Sequence, residues 1–184
     1  MGSTHFLFGM SAGLGVAAWQ GWSPWQTGLS VVLASAVAGG RFSPDLDQSW
    51  IWRKVDKVTP DESLGHGGPM RHRGLTHWWG LPAVLVGVLP LLPEESRWLM
   101  MSLLAGWCSH LVGDFVFGKR AGRGRGPGIP LAPWWGHVGV GLDAGGTAEA
   151  ATRSFVLPAV LCWQFLTLVG IGDPVNDLVL DLFR

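Results

Sequence analysis

Apolar residues along this chain do not alternate, and they do not recur every three or four positions against a polar face. They come in blocks. Five stretches, at about residues 6–19, 27–40, 78–92, 98–117 and 155–171, are apolar nearly all round. A helix on the surface of a soluble protein carries a stripe, whereas one that is apolar all round is buried in a large core or in a membrane. Each block falls short of the ~20 residues that span a bilayer core. Flanking Trp, Thr and Ser extend most of them to that length. Pro82 and Pro90 predict a kinked or shortened third segment. The pattern predicts an all-α fold: a polytopic membrane bundle of about four or five apolar helices, in one domain over residues 1–184. The competing reading is the helical core of a soluble protein.

The connections set the expected orientation. Residues 41–76 and 118–152 are long and polar, with Arg41, Arg53, Lys54, Lys57, Arg71 and Arg73 in the first and Lys119, Arg120, Arg123 and Arg125 in the second. Residues 20–26 carry no charge, and residues 93–97 hold Glu94, Glu95 and Arg97. Basic loops stay on the cytoplasmic side. Both long connections and the N-terminus are therefore expected in the cytoplasm, giving a multi-pass protein of the plasma membrane. Residues 173–184 read as a short amphipathic helix on the other side, with Asp173 as N-cap and Pro174 in its first turn. The first segment lacks the basic start of a signal peptide. The run "GRGRGPG" follows no strand and opens no apolar helix, so it is read as a basic loop against anionic lipid and not as a phosphate cradle.

Composition sharpens this picture. Only 14% of residues are charged, against about a quarter in soluble domains. There are twelve tryptophans and no tyrosine, and many of the tryptophans flank the apolar blocks, as interfacial anchors do. Formal net charge is zero, which argues against a polyanionic partner such as nucleic acid. Cys108 and Cys162 both lie inside apolar blocks and are expected to be buried, reduced thiols.

A few ionisable residues stand out against so apolar a background. His5 opens the first block. Asp45 and Asp47, in "SPDLD", follow the second, and His72 and His77, in "RHRGLTH", precede the third. His110 and Asp114, in "HLVGD", fall in the last turns of the fourth. With the topology above, all seven lie at the cytoplasmic end, although none of them was used to orient the chain. His110 and Asp114 are four apart and share a helix face. An imidazole and an acid this deep in an apolar segment are costly without partners. Imidazoles with carboxylates suit zinc or another divalent transition ion. A set of more than four suggests more than one ion, in the range of one to three. For each residue taken alone, a hydrogen bond between helices is the plainer explanation.

In their order, "THFLFG", "SPDLD", "RHRGLTH", "HLVGD" and "GIPLAP" resemble the YdjM-like membrane-bound metal-dependent hydrolases, over roughly residues 1–135. Those are bacterial inner-membrane proteins, distantly similar to the zinc-dependent phospholipase C and single-strand nuclease superfamily. The resemblance implies that His5, Asp45, Asp47, His72, His77, His110 and Asp114 are metal-site residues and that the activity is hydrolysis. It assigns no meaning to residues 49–67, and the insert "KRAGRGRG" departs from it. His66 and His137 fall outside the set and are read as supporting or surface residues.

The chemistry this predicts is metal-assisted hydrolysis. Asp45 or Asp47 would hold or deprotonate a water while the other ligates. Arg73, with Arg71 beside it, would stabilise charge on a phosphoryl or acyl oxygen. The arginines serve equally well as headgroup anchors. A site at headgroup depth points to a phosphoester or ester, with membrane lipid as partner and substrate class. The alternative is a non-enzymatic membrane protein with a structural metal or an ion path. Polar residues gathered at one end favour a site over a path, because a permease needs polar groups through the whole depth.

Overall fold

In the computed structural model, residues 2–40, 42–45, 75–118, 128–132 and 135–170 are described. The fold is mostly helical. Helices α1 (Gly2–Gln20) and α2 (Pro24–Gly39) form a hairpin. A single 3₁₀ turn, Leu75–His77, leads into the short α3 (Gly80–Val88), which tightens into a second 3₁₀ turn at Leu89–Leu91. The 24-residue α4 (Glu94–Phe117) follows. Strands β1 (Ile129–Ala132) and β2 (Trp135–Val138) make an antiparallel hairpin in which Pro130 faces His137. The last described element, α5 (Thr147–Leu168), contains a π turn at Thr152–Val156. Pro158 lies just beyond that turn. Having no N–H to give the preceding turn, it accounts for the local widening. Pro82 and Pro90 act as expected: α3 is nine residues long and ends in a 3₁₀ turn around Pro90.

Three helices make the core: α1, α2 and α4 pack on one another, while α5 leans on α1 and α3 leans lightly on α4. Their contacts are made by small residues. On α1 the buried positions include His5, Gly9, Gly13 and Ala17, each four after the last. On α2 they include Ser30, Ala34 and Ala38, and on α4 Ser102, Gly106, His110 and Asp114, again in steps of four. Such steps form one ridge along a helix, and small residues on the ridge let backbones approach closely. A methyl at Gly9 would lie 2.6 Å from the Ala34 carbonyl oxygen, and one at Gly13 would lie 2.8 Å from that of Ser30. Gly106 presses on Ala34 more tightly still. Hydroxyls fasten the same seam. Ser30 donates to the Gly13 carbonyl at 3.2 Å, and the Ser102 hydroxyl lies 3.0 Å from that of Ser30. Gln164 ties α5 to α1 through both the hydroxyl and the carbonyl of Ser11.

Large apolar side chains are largely turned outward. Val32 on α2, Val84 on α3, Val112 on α4 and Phe155 on α5 are all more than half exposed, whereas Ala34, Ala38, Ser30 and Ser102 are fully buried. A soluble protein does the reverse, since its core takes the Ile, Leu and Phe. A small, partly polar interior inside an apolar exterior is what a hydrocarbon surround selects. Two helices, α4 and α5, are long and apolar enough to cross a membrane. Trp19, Trp25 and Trp79 are exposed at helix ends, where interfacial anchors belong.

Two expectations need adjustment, and two others are untested. The β1–β2 hairpin lies within a stretch read as a polar connection. Cys108 and Cys162 are free but exposed on the outside of the bundle, not buried. Burial was expected because apolar neighbours usually mean an interior, and here they mean the exterior. The tail at 173–184 and the loop at 49–67 lie outside the described residues.

Replacing Gly106 with Val should lower the melting temperature sharply in detergent, since overpacking a close seam costs about 1–3 kcal/mol or more. Gly28→Ala is the contrasting case, because a methyl there meets nothing within 4 Å. It should leave stability unchanged or raise it by up to about 1 kcal/mol. Equal melting temperatures for the two variants would contradict the packing described.

Candidate metal centre

The ridges of small residues on α1 and α4 end, on the same side of the bundle, in residues of another kind. His5 lies in the first turns of α1, and His110 and Asp114 lie near the end of α4. Asp45 follows α2 directly, after the buried Ser43 and Pro44. His77 closes the 3₁₀ turn before α3. These five side chains meet. His77 Nε2 lies 3.2 Å from His110 Nε2, 3.4 Å from Asp45 Oδ1 and 3.4 Å from Asp114 Oδ2. His110 Nε2 lies 3.7 Å from Asp114 Oδ2, and His5 Nε2 lies 3.5 Å from Asp114 Oδ1. The His5 and His110 rings stack with centroids 4.2 Å apart, and His77 meets His110 edge-on at 5.2 Å.

Two groups of donors can hold a metal ion: His5, His110 and Asp114, and Asp45, His77 and His110. The spacings fit that use. Donors about 2.1 Å from a tetrahedral ion stand about 3.4 Å from one another. Most of the separations above are too long for good hydrogen bonds and suit the edges of such a polyhedron. Asp114 turns one oxygen toward His5 and the other toward His77 and His110, so it joins the two groups. His5 is buried, and its Nδ1 has no hydrogen-bond partner among the described residues. A buried ring left this way is costly unless its other nitrogen gains a strong partner.

The surrounding residues fix the donors. His110 Nδ1 lies 2.6 Å from the Ala38 carbonyl oxygen, which can accept only if Nδ1 carries the proton. That tautomer leaves the Nε2 lone pair facing the centre. His77 Nδ1 lies 3.1 Å from the Thr76 hydroxyl, and Trp107 of α4 donates its indole N–H to the Thr76 carbonyl at 3.0 Å. The 3₁₀ turn is thereby pinned to α4. Gly113 provides the room for His5, since a methyl there would lie 2.5 Å from its Nδ1. Thr4, next to His5, donates to Glu149 of α5 at 2.6 Å, and the other oxygen of Glu149 accepts the Gly145 N–H at 2.5 Å. The end of α4 is held as well. Val140 and Leu142 donate backbone N–H groups to the Phe115 and Val116 carbonyls, which the helix leaves open. Gly128, at φ 87°, and Gly139 lie too close to neighbouring backbone for any side chain.

The centre is buried except at one edge. The side chains of His5, His77, His110 and Asp114 are 0–4% exposed, whereas that of Asp45 is 38% exposed. Burial works to raise the Asp45 pKa. Its contact with His77 and the nearby imidazole of His110 outweigh burial and hold the carboxyl well below the usual carboxylate range. It is therefore ionised at neutral pH, as a ligand or a base must be. Asp47, His72, Arg71 and Arg73 lie outside the described residues, as does His66. His137 lies on β2 opposite Pro130. Trp107, Thr76, Gly113, Thr4 and Glu149 were not picked out from the sequence. "THFLFG", "GLTH" and "HLVGD" hold three of them, Thr4, Thr76 and Gly113, each beside a residue that was.

Fold and centre together define a membrane-embedded helical protein with a buried His/Asp cluster at one end of its bundle. The model of the YdjM inner membrane protein family matches residues 1–172, and the chain belongs to that family. Neither a curated protein nor a solved structure shows a significant match to it.

Gly113→Ala should push His5 off the centre without adding or removing a donor. Losses of about 10–100-fold in metal affinity are typical when a supporting residue is removed. Metal titration of the purified protein in detergent, with Gly87→Ala as an unobstructed control, reads this directly. Wild-type affinity in Gly113→Ala would mean that His5 contributes nothing.

Proposed function

We propose that this protein is a metal-dependent hydrolase of the bacterial inner membrane, acting on a phosphoester or ester at the cytoplasmic face, with membrane lipid as the substrate class. The observation that carries this reading is the convergence of His5, Asp45, His77, His110 and Asp114, drawn from four separate segments, on one partly open edge. A set built only to fasten helices together would have short hydrogen bonds and no opening. Zinc is the ion that best suits three imidazoles with a carboxylate, and Asp114, facing both groups, leaves room for a pair of ions.

The residues divide by exposure. His5, His77, His110 and Asp114 are the closed side and hold the ion. Bound metal lowers the pKa of coordinated water toward neutrality and so supplies hydroxide at physiological pH. Asp45, the ionised and half-exposed member, orients the attacking water and takes its proton. Asp47 and His72 are assigned to the same centre from their motifs. Arg73, four residues before His77 in "RHRGLTH", supplies a guanidinium to the oxygen on which charge develops, a geometry matched to phosphate.

The proposed orientation follows the same chain of reasoning. The described ends of both basic connections, at residues 45, 75, 118 and 128, lie at the metal-bearing end. Basic loops mark the cytoplasmic side, so the N-terminus with His5 is placed there too, and the chain crosses the membrane several times.

Elemental analysis of detergent-purified protein should find zinc or a comparable divalent ion. Asp114→Ala and His110→Ala should lose it while remaining monodisperse and helical. Stoichiometric zinc retained in either variant would falsify the metal assignment. A panel of phosphodiesters and phospholipids should then be turned over by the wild type. Asp45→Asn should lower kcat by about 10²–10⁴-fold, the usual share of a general base, with metal content preserved. Full metal with no turnover of any ester would leave a structural centre.

A further inference from the structure

Beside the metal centre lies a feature that the proposed chemistry leaves unused. A groove of about 360 Å³ runs between α3 and α4, and its wall is apolar. Trp79, Pro82 and Val86 form one side, Leu111 and Phe115 the other, and Ile129 of β1 closes one end. The helices are antiparallel here, so the groove has a direction. Trp79, Phe115 and Ile129 lie at the metal-bearing end, and Val86 and Cys108 lie further into the bundle. From Trp79 to Val86 the helix rises about 10 Å.

Groove and centre share a helix wall. Leu111 directly follows His110 and Phe115 directly follows Asp114, each about 100° round the helix from its neighbour. On the other side, Trp79 is two residues from His77. A molecule lying in the groove with its polar end toward Trp79 would present that end beside the donors.

We infer that this groove holds one acyl chain of a membrane glycerolipid, with the lipid's ester or phosphoester at the metal-bearing end. This inference rests on the hydrolase reading above and adds to it the place where the substrate's chain lies. The choice of occupant follows from what surrounds the groove. It is cut into α4, a helix long and apolar enough to cross a membrane, in a chain of an inner-membrane family. Its rim continues into the exposed apolar face formed by Val84, Val86 and Val112, so the medium at its opening is hydrocarbon. The mouth has the chemistry of the membrane interface. Trp79 is half exposed there, and Trp78 donates to the Leu131 carbonyl at 3.0 Å, fixing the hairpin across the end. Leu131, Val138 and Val140 on and after the hairpin are exposed and apolar. Burying a methylene is favourable only against water. Against bilayer, the groove selects by shape, which suits a substrate that must also leave.

The test reads binding, not turnover. Wild-type protein is placed in lipid nanodiscs containing a phospholipid with a photoactivatable group midway along one chain. Labelled peptides are then mapped by mass spectrometry. Labelling should concentrate on Trp79–Val86 and Cys108–Phe115, above the outward faces that carry Val32 and Phe165. Ala83→Trp, which fills the groove from α3, should lower that labelling by about tenfold. Val32→Trp, on the outer face of α2, should leave it unchanged. A second filling variant, Val112→Phe, guards against misfolding of the first, and metal content is measured on all of them. Even labelling of every lipid-facing helix, or labelling untouched by both filling variants, would overturn the groove assignment. Neither result would bear on metal content or on hydrolysis of a water-soluble phosphodiester, so the hydrolase reading fails or stands separately. Labelling confined to the groove in a protein without hydrolase activity would support a lipid site there and remove the reaction.

Discussion

A carboxylate three per cent exposed, on a helix apolar enough to cross a membrane, is the constraint from which the rest follows. Asp114 cannot be stable there alone, because the desolvation cost of an unpaired charge exceeds anything its helix gains from packing. It needs cations or donors on every side, and they must come from other segments. His77 and His5 arrive from a 3₁₀ turn and from α1, and His110 lies one turn back on its own helix. Three imidazoles are acceptable neighbours for a carboxylate, and two of them, His5 and His110, stack 4.2 Å apart. A divalent ion between lone-pair nitrogens and carboxylate oxygens satisfies all of them together. Protonation of the same cluster satisfies only some.

That demand also explains the packing. Side chains from α1, from α4 and from the residues just after α2 can reach a common point only if the helix backbones come close. Gly9, Gly13, Ala34, Ala38 and Gly106 bring them close, on the same four-residue ridges that lead to His5, His110 and Asp114. Ala38 belongs to both purposes. Its side chain lies in the seam, and its carbonyl fixes the tautomer of His110. Packing and centre form one continuous construction, in which ridge position decides whether a residue is a spacer or a donor.

What could be read from the sequence follows the same logic. His5, Asp45, His77, His110 and Asp114 were conspicuous because ionisable groups bordering apolar blocks have few inexpensive explanations. The helices were conspicuous because their blocks are long. Gly113 and Trp107 were not, since a glycine making room and an indole pinning a turn act through geometry that appears only once the segments meet. The hairpin at 129–138 escaped notice because its strands are four residues each, amid Gly, Pro and Trp, with no alternation long enough to register. The cysteines were misplaced for a different reason. The rule that apolar neighbours mean an interior assumes water outside, and the exposed valines and phenylalanines show a different exterior. The ridges of small residues were legible in principle, as steps of four in Gly, Ala and Ser, but they stand out only against larger side chains that face away.

The depth of the centre reconciles requirements that conflict elsewhere in the molecule. Midway along the bundle, donors would have no water and no basic loops beside them. Outside it, they would lose the low-dielectric surroundings that make ion binding strong. At the helix ends both conditions hold: His77, His110 and Asp114 are buried, while Asp45, just past α2, is partly exposed. The long connections begin and end at this level, so chain length is spent where polar residues are needed, and the opposite end is turned with the short loops at 20–24 and 92–94. A lipid's own polar group rests at the same depth as the ends of these helices. For the lipid substrate we propose, the chain would lie along α4 and the ester bond beside Asp45, with no need to leave the membrane.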